Sequence, residues 1–365
     1  MILMHRDTPV AEVAVQDGKI HKLIKLYSES ELPVGCASFL AERMLQNWQN
    51  MRTIPEDRQG KERIEQVLGC SVSEALLKSF SVSLTDAYWL KETEMPLCWK
   101  DVNFHDNGFS IDLSRAILGD MDGQVLHFNT PDLTTDGTLK KTWLSIDGMP
   151  TLLKYGNFGD QANGKNLLSA NEVIASQVAD LMEIPHVPYE KLEVLGESIC
   201  ACPSFVRDSH TDFVNGLQLL HLCRTNLFVS LCRMGYEEEI SRMIVFDHLL
   251  HNTDRHEKNF GILMDLDTGK ESFAPLFDSG SCLGWNSAFW KSEDTKPFAR
   301  RREEQFALVQ KKYMEVPTEA EVQIIIRDVY EDFGIEHVQV AFQEVRKSYE
   351  MLLEKEKTYA ISFER

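Results

Sequence analysis

The segment that decides the fold of this chain is His251-Asn252-Thr253-Asp254-Arg255-His256-Glu257-Lys258-Asn259-Phe260-Gly261. It follows residues 237–250, whose apolar side chains recur at helical spacing, and it leads into the apolar run 260–264. So many polar side chains between two apolar stretches predict a cluster with a chemical role.

A β-hairpin is predicted directly after this segment. The apolar runs 260–264 and 272–277 flank a turn-rich hexapeptide. Antiparallel pairing of these runs would place Asn259 beside Asp278, because the midpoint between the two residues falls in the turn. Asp254 lies in a short loop that can fold back over the same place, so two carboxylates and one amide oxygen are expected to converge. Such ligands suit Mg²⁺, which usually takes one or two protein carboxylates together with substrate phosphates.

The spacing of these three residues is typical of phosphoryl-transfer enzymes of the protein-kinase type. In those enzymes the first Asp accepts the proton of the acceptor hydroxyl, while the Asn and the later Asp hold metal. The pattern therefore predicts Asp254 as catalytic base and Asn259 and Asp278 as metal ligands. Taken singly, each residue has a plainer interpretation, since Asp254 and Asn259 can cap a turn and Asp278 can close the hairpin.

An enzyme of this type also needs a cation and an acid in its strand-rich part. The sequence predicts a hairpin of residues 142–146 and 151–155 around an Asp-Gly turn. Lys154, at the end of its second strand, is placed to bind nucleotide phosphates, and Glu172, in the helix that follows, to orient this lysine. The plainer alternatives are a surface lysine and a capping box between Ser169 and Glu172 that would open the helix.

The loop of residues 134–141 lies where a phosphate-covering loop is expected, and it contributes Gly137 and Thr138 as nucleotide-binding candidates. Its backbone N–H groups can face phosphate, although the same composition also makes an ordinary turn. Residues 159–166 nearly match the Walker loop, but Asn166 replaces the hydroxyl that would bind Mg²⁺. This departure favours a connecting loop.

Strand patterns dominate residues 121–205, and helical patterns dominate the chain that follows. The further predicted strands are 124–128, 192–194 and 199–202, and the predicted helices after residue 205 are 213–233, 237–250, 319–333 and 338–357. This order predicts an α+β, two-lobed protein-kinase-like fold with a cleft between the lobes. The strand-rich nucleotide-binding lobe would comprise residues 121–205 and the helical catalytic lobe residues 206–365, preceded by an N-terminal accessory region, 1–120.

Composition excludes several classes of protein. The chain has 365 residues, 43% of them hydrophobic, so it can bury a substantial core. A formal net charge of −19 disfavours direct binding of nucleic acid, and the basic run at 300–302 is interpreted as a solvated helix face. Eight cysteines without a CxxC pair, and no signal-like or membrane-spanning apolar run, favour a cytoplasmic protein.

Together these motifs resemble those of the HipA-like kinases, bacterial serine/threonine kinases with a two-lobed fold. The resemblance covers about residues 130 to 280 and rests on Leu152-Leu153-Lys154, Asn171-Glu172, Phe205-Val206-Arg207, residues 252–260 and Ala274-Pro275-Leu276-Phe277-Asp278. It implies ATP and Mg²⁺ as cofactors, with the roles given above for Asp254, Asn259, Asp278 and Lys154.

The resemblance also implies a hinge at 204–206, which adds Phe205 and Val206 to the nucleotide-binding candidates, and a small DNA-binding antitoxin as a potential partner. The favoured function is ATP-dependent phosphorylation of serine or threonine in a protein substrate, with residues 281–302 on the acceptor side. The order Asp254-Arg255-His256 is similar to the lipid-kinase catalytic loop, so a small-molecule or lipid acceptor stays open. The glycine-poor covering loop leaves open a nucleotide-binding scaffold that no longer transfers phosphate.

Overall fold

The structure is a computed structural model that describes residues 1–121, 123–156, 166–223, 226–285 and 302–363. The chain divides into two compact units. The first contains Met1–Lys154, Pro203–Val214 and Leu263–Ser272, and the second contains Tyr155–Cys202, Asn215–Ile262 and Phe273–Arg365. These units group the chain differently from the three domain ranges predicted from the sequence.

Helices and strands both contribute, so the chain is a mixed α and β protein. The strands are β1 Ile2–His5, β2 Thr8–Gln16, β3 Lys19–Leu26, β4 Tyr88–Lys91, β5 Lys141–Ile146, β6 Met149–Lys154, β7 Glu190–Val194, β8 Glu197–Pro203, β9 Thr211–Asn215, β10 Gly261–Asp265 and β11 Glu271–Phe273. The α-helices are α1 Ala41–Asn50, α2 Lys61–Leu68, α3 Val72–Lys78, α4 Trp99–Val102, α5 Phe104–Asn107, α6 Asp112–Leu118, α7 Leu167–Leu181, α8 Gly216–Leu222, α9 Leu227–Arg233, α10 Glu237–Leu249, α11 Arg302–Leu308, α12 Glu319–Phe333 and α13 Val338–Phe363.

The N-terminal sheet of the first unit has the strand order β3-β2-β1-β4, and its neighbouring strands are antiparallel. Leu3 of β1 lies opposite Ala11 and Leu90, and all three side chains are fully buried. Leu45 and Trp48 of α1 belong to the same apolar cluster. The sheet is therefore stabilised by burying one face under this helix.

A second apolar cluster in the first unit is built mainly from helices. α2, α3 and α6 contribute Ile64, Leu76 and Leu113 to it. Leu133, which directly precedes the loop 134–141, belongs to this cluster and is fully buried. The start of that loop is thus anchored in a core.

The β5–β6 hairpin confirms the prediction from the Asp-Gly pair. Asp147 and Gly148 have φ angles of 51° and 78°, and positive φ at both positions is the requirement of a type I′ turn. The register pairs Lys141 with Lys154 at the open end of the hairpin. The predicted phosphate-binding lysine is therefore the last residue of β6.

The second unit is largely helical. Helix α7 is buried along most of its length, including Ala170, Ile174 and Val178. It packs against α12, which also packs against α13. The boundaries of α12 agree with the predicted 319–333, because Thr318 and Glu321 form a capping box and Gly334 ends the helix.

Two predictions of secondary structure after residue 120 are wrong. Residues 124–128 are described, and they form no strand. The helix predicted for 213–233 is replaced by β9, α8 and α9. Polar side chains cause the breaks, since Asn215 and Asn226 cap α8 and α9 by accepting from backbone N–H groups at 3.0 and 2.9 Å.

The capping box predicted between Ser169 and Glu172 is also wrong. Helix α7 begins at Leu167, so both residues lie inside it. The Walker-like segment 159–166 and the acceptor segment 281–302 fall largely outside the described residues, because 157–165 and 286–301 are not described. In the described part of the chain, no helix combines the length and apolar character that a membrane crossing needs.

Candidate active site

The polar segment 251–261 is tied to helix α10 by Asn252, which is fully buried. The backbone N–H and the side-chain amide of Asn252 donate to the carbonyl oxygen and to Oδ1 of Asp247, both at 2.8 Å. Its Oδ1 accepts from the backbone N–H of Asp254 at 3.0 Å. Asp254 is exposed. The candidate base is therefore accessible on a backbone that a buried network holds.

The side chain of Asn259 forms hydrogen bonds with two other residues of the same loop. Its Oδ1 accepts from the backbone N–H of His256 at 3.1 Å, and its side-chain amide donates to the carbonyl oxygen of Asp254 at 3.2 Å. The amide is thus buried against the residue predicted as catalytic base. The structure brings Asp254 and Asn259 together, and it also shows that Asn259 shapes the turn, as the plainer interpretation proposed.

Arg255 makes most of the hydrogen bonds that connect the segments of this region, and its side chain is 1% exposed. Its Nε and Nη2 donate to the two carboxylate oxygens of Asp247 at 2.9 and 3.0 Å. Its Nη1 donates to the carbonyl oxygens of Asn259 and Phe277 at 3.0 and 2.8 Å, and its Nη2 donates to Oγ of Ser279 at 2.9 Å. All five guanidinium N–H groups therefore have acceptors.

The charge of Arg255 is retained in spite of its burial. Burial lowers the pKa of the guanidinium, but the adjacent carboxylate of Asp247 raises it, with smaller contributions from Asp278 and Glu172, and the net pKa lies above the ordinary value. A buried cation that binds a carboxylate bidentately and two carbonyls fixes three segments relative to one another.

This network, rather than a continuous strand ladder, brings residue 278 close to residue 259. The hairpin register joins Asp265 to Lys270 and Gly261 to Ala274 through backbone hydrogen bonds of 2.9 Å. Continued regularly, it would place residue 276 opposite Asn259. Leu276 instead bonds to a different segment, donating to the carbonyl of residue 185 and accepting from the N–H of residue 187. The predicted cause of the juxtaposition, antiparallel pairing up to Asp278, is therefore wrong.

The two carbonyls that share Nη1 of Arg255 must lie within about 6 Å of each other, which is the limit set by two hydrogen bonds from one nitrogen. They belong to Asn259 and to Phe277, the neighbour of Asp278. The two predicted metal ligands are therefore carried by backbone segments that lie side by side in the second unit.

Asp278 begins a segment that helix α7 holds in place. Its φ is 57°, a left-handed conformation that is uncommon for a non-glycine residue, and its N–H donates to the hydroxyl of Tyr189 at 3.2 Å. The N–H of Ser279 donates to Oε2 of Glu172 at 2.8 Å. A Cβ on Gly280 would lie 2.9 Å from Cγ of Glu172, so the chain approaches this side chain closely. Glu172 thus holds the residue after Asp278 and caps no helix.

Asn171 holds the same segment further along. Its side-chain amide donates to the carbonyl oxygens of Gly280 and Cys282 at 3.0 and 2.9 Å, and its Oδ1 accepts from the hydroxyl of Tyr330 at 2.6 Å. Together with Glu172 it links residues 279–282 to α7. The backbone around Asp278 is therefore fixed on both sides.

The side chains predicted to bind metal supply hard oxygen donors. Within the described ranges, no group of three or more His, Cys, Asp or Glu side chains is arranged to hold a metal ion. The predicted ligands are one amide, that of Asn259, and one carboxylate, that of Asp278. One or two carboxylates with substrate phosphates are the usual protein ligands of Mg²⁺, so the donor chemistry of Asn259 and Asp278 fits this ion.

The loop 134–141 and Lys154 belong to the first unit. The guanidinium of Arg58 and the backbone N–H of Gln59 donate to the carbonyl oxygens of Thr135 and Thr138, at 2.5 and 2.8 Å. Gly137 has φ 95°, which favours glycine. The loop that carries Gly137 and Thr138 is thus held by residues from the N-terminal part of the chain, a contact that the sequence did not indicate.

The predicted hinge residues lie beside the β5–β6 hairpin of the first unit. The backbone N–H of Ser204 donates to the carbonyl oxygen of Pro150 at 2.8 Å, and its hydroxyl donates to the carbonyl oxygen of Val206 at the same distance. Val206 is buried, and the ring of Phe205 meets that of Phe213 edge-on at 5.0 Å. Phe205 and Val206 therefore share a unit with Gly137, Thr138 and Lys154, whereas Glu172, Asp254, Asn259 and Asp278 belong to the second unit.

The family of the HipA-like C-terminal domain matches residues 134–335, more than half of the chain. A chain of the HipA, HipB and operator DNA complex of the Shewanella oneidensis MR-1 toxin–antitoxin system is 14% identical, with a TM-score of 0.54 over 96% of this chain and 97% of that one. The proinflammatory kinase CtkA of Helicobacter pylori is also 14% identical, with a TM-score of 0.46 over 62% of this chain and 95% of that one. No curated protein matches. The first of these two structures shows a shared fold.

Proposed function

Because the chain belongs to the family of the HipA-like C-terminal domain, we propose that it is an ATP- and Mg²⁺-dependent phosphotransferase, specifically a serine/threonine protein kinase. The observation that supports this most directly is the guanidinium of Arg255. It binds the carbonyls of Asn259 and Phe277, so one side chain joins the loop of Asp254 to the neighbour of Asp278. The residue types in these two segments are those of phosphoryl transfer.

In this proposal Asp254 is the catalytic base. Its carboxylate accepts the proton of the acceptor hydroxyl while the hydroxyl oxygen bonds to the γ-phosphorus and ADP leaves. The exposure of Asp254 suits this role, since a protein acceptor must reach the carboxylate. Asn259 and Asp278 would hold Mg²⁺, which when bound offsets the negative charge of the phosphates.

The nucleotide would bind through the residues of the first unit. The backbone of Gly137 and Thr138 would lie over the phosphates, Lys154 would offer its ammonium, and Phe205 and Val206 would form the hinge. The N–H of Gly137 donates to Oδ1 of Asp136 at 2.7 Å. The orientation of Lys154 by Glu172 stays a prediction, as do the two-lobed arrangement and the cytoplasmic location. We further propose a small antitoxin-like protein as partner, because the fold is shared with a chain of a complex that contains HipB.

Phosphate transfer from radiolabelled ATP to a protein extract tests the proposal. Asp254→Asn should lower the transfer rate by about 10²- to 10⁴-fold, the usual contribution of a general base, while ATP affinity changes little. Asp328→Asn is the matched control, because Asp328 is an exposed carboxylate on α12 whose hydrogen bonds go to its neighbour Arg327. Equal transfer by the wild type and Asp254→Asn would contradict the role of Asp254.

The acceptor class follows from the same assay. Transfer to lipid extract but not to protein would identify a lipid kinase, in line with the order Asp254-Arg255-His256. Binding of ATP without transfer to any acceptor would identify a nucleotide-binding scaffold. Either result would replace the proposed protein kinase activity.

A further inference from the structure

The backbone of the loop 134–141 is bonded to two adjacent residues of the N-terminal part of the chain, Arg58 and Gln59. The guanidinium of Arg58 donates to the carbonyl oxygen of Thr135 at 2.5 Å. The backbone N–H of Gln59 donates to the carbonyl oxygen of Thr138 at 2.8 Å. One dipeptide therefore holds two points of the loop.

This dipeptide is fixed by the helical core of the first unit. Ile54 precedes it and Ile64 of helix α2 follows it, and both side chains are buried in the apolar cluster that also contains Leu133. Leu133 is the residue directly before the loop. The dipeptide and the start of the loop thus share one core, so the dipeptide can determine where the loop lies.

Arg58 contributes to this contact with a buried charge. It is only 5% exposed, and its Nε has no hydrogen-bond partner among the described residues. The buried residues Arg52 and Arg255 each form an ion pair with an aspartate, whereas Arg58 forms none within the described part of the chain. Burial lowers the pKa of its guanidinium to about 10, and the opposing effect of carboxylates, of which Asp132 contributes most, is smaller. The group is therefore charged at neutral pH, and its burial without a contacting carboxylate lowers the stability of the fold.

We propose that Arg58 is a positioning residue for the nucleotide, which holds the loop 134–141 over the phosphates through the carbonyl oxygen of Thr135. This inference rests on the proposed function, because the loop is there assigned to the nucleotide. A side chain that costs stability is expected where function requires it. A loop already held in place need not be ordered when ATP binds, which increases affinity. The N-terminal part of the chain thus acts on the nucleotide through the loop.

The variant Arg58→Met tests this assignment in the full chain, because methionine keeps the apolar stem and removes the charged donors. A hydrogen bond from a charged group corresponds to about tenfold to hundredfold in an equilibrium constant, so ATP should bind about tenfold more weakly in titration calorimetry. Adenosine has no phosphate for the loop to cover, and its affinity should stay within about twofold of the wild-type value. Arg58→Lys, which can still donate to the carbonyl oxygen of Thr135, should bind ATP more tightly than Arg58→Met.

The free energy of unfolding distinguishes positioning from a purely structural role. Removing a buried charge that has no ion-pair partner should leave the urea midpoint of Arg58→Met at or above that of the wild type. The half-buried Thr135 can offer its carbonyl oxygen to water instead. A residue that only stabilised the fold would, when replaced, lower the midpoint and weaken the binding of ATP and adenosine alike.

The matched control is Arg63→Met, which makes the same change on helix α2. The guanidinium of Arg63 donates to the carbonyl oxygen of Met121 at 3.3 Å, which lies outside the loop. The ATP affinity of this variant should stay within about twofold of the wild type.

The outcomes separate the assignment of Arg58 from the proposed function. If the wild type binds ATP and Arg58→Met binds it equally well, or if Arg58→Lys binds it no better than Arg58→Met, the assignment is overturned. It is also overturned if Arg58→Met unfolds at a lower urea concentration than the wild type or does not fold, because Arg58 would then stabilise the fold itself. If the wild type binds no ATP, the proposed function fails and the assignment with it.

Discussion

Replacing Arg255 by methionine separates the folding role of the buried network from its role in phosphotransfer. Methionine retains the apolar stem and removes five donors, which leaves the carboxylate of Asp247, 10% exposed, without its bidentate partner. Removing one partner of a buried ion pair costs about 3–5 kcal/mol. We expect the free energy of unfolding to fall by about this amount, measured by urea denaturation followed through tryptophan fluorescence.

A second variant separates the loss of stability from the loss of phosphotransfer activity. In Arg255→Met combined with Asp247→Asn, the unpaired buried charge is removed, and the amide oxygen at position 247 can still accept from Asn252. This double variant should regain about 2 kcal/mol or more of the stability lost in the single variant. Phosphotransfer should be lost in both the single and the double variant, because the carbonyls of Asn259 and Phe277 no longer share a donor.

The matched control is Arg327→Met, which removes an arginine from an Arg–Asp pair whose side chains are both 58% exposed. Exposed pairs contribute little, so the stability of this variant should match that of the wild type. The reasoning is refuted if Arg255→Met unfolds at the same urea concentration as Arg327→Met. It is also refuted if the double variant regains full activity, because the backbone positions would then not depend on the guanidinium.

Two further predictions concern residues close to the candidate site. A methyl group at Gly280 would lie 2.7 Å from the carbonyl oxygen of Leu168, so Gly280→Ala should slow phosphotransfer by about tenfold or more. The control is Gly123→Ala, whose added methyl group meets nothing within 4 Å and should leave the rate unchanged. Equal rates for the two variants would contradict the tight packing around Asp278. The hydrogen bond from His251 lowers the pKa of Glu344 from its ordinary 4.5 to about 2. A lowered pKa adds stability that is complete above pH 4.5 and is lost as the pH falls toward 2. The free energy of unfolding should therefore fall more steeply with acid in this range for the wild type than for Glu344→Gln. Parallel plots of this free energy against pH would argue against the hydrogen bond.

Local signals in the sequence were sufficient for elements that local chemistry determines. The Asp-Gly pair at 147–148 predicts the β5–β6 hairpin, because few other dipeptides accept positive φ at both positions. Thr318 and Gly334 bound α12 by a cap at each end. The segment 124–128 has the apolar composition of a strand, but a strand also needs a partner with free edge groups, and no local pattern reports one.

The site shows where such reasoning stops. The motif predicts that Asn259 and Asp278 come together, yet the reason given, antiparallel pairing, is not the one that operates. The side chain that joins the two segments is that of Arg255, which bonds to the carbonyls of Asn259 and Phe277. Arg255 lies within the motif, but the motif assigns roles only to acids and an amide. Its partner Asp247 did give a signal, since a carboxylate within the apolar part of α10 is expensive to bury unless a cation reaches it. A charged residue on an otherwise apolar helix, a few residues before a polar loop, therefore points to a buried pair that fixes the loop, and its partner should be sought among the arginines of that loop.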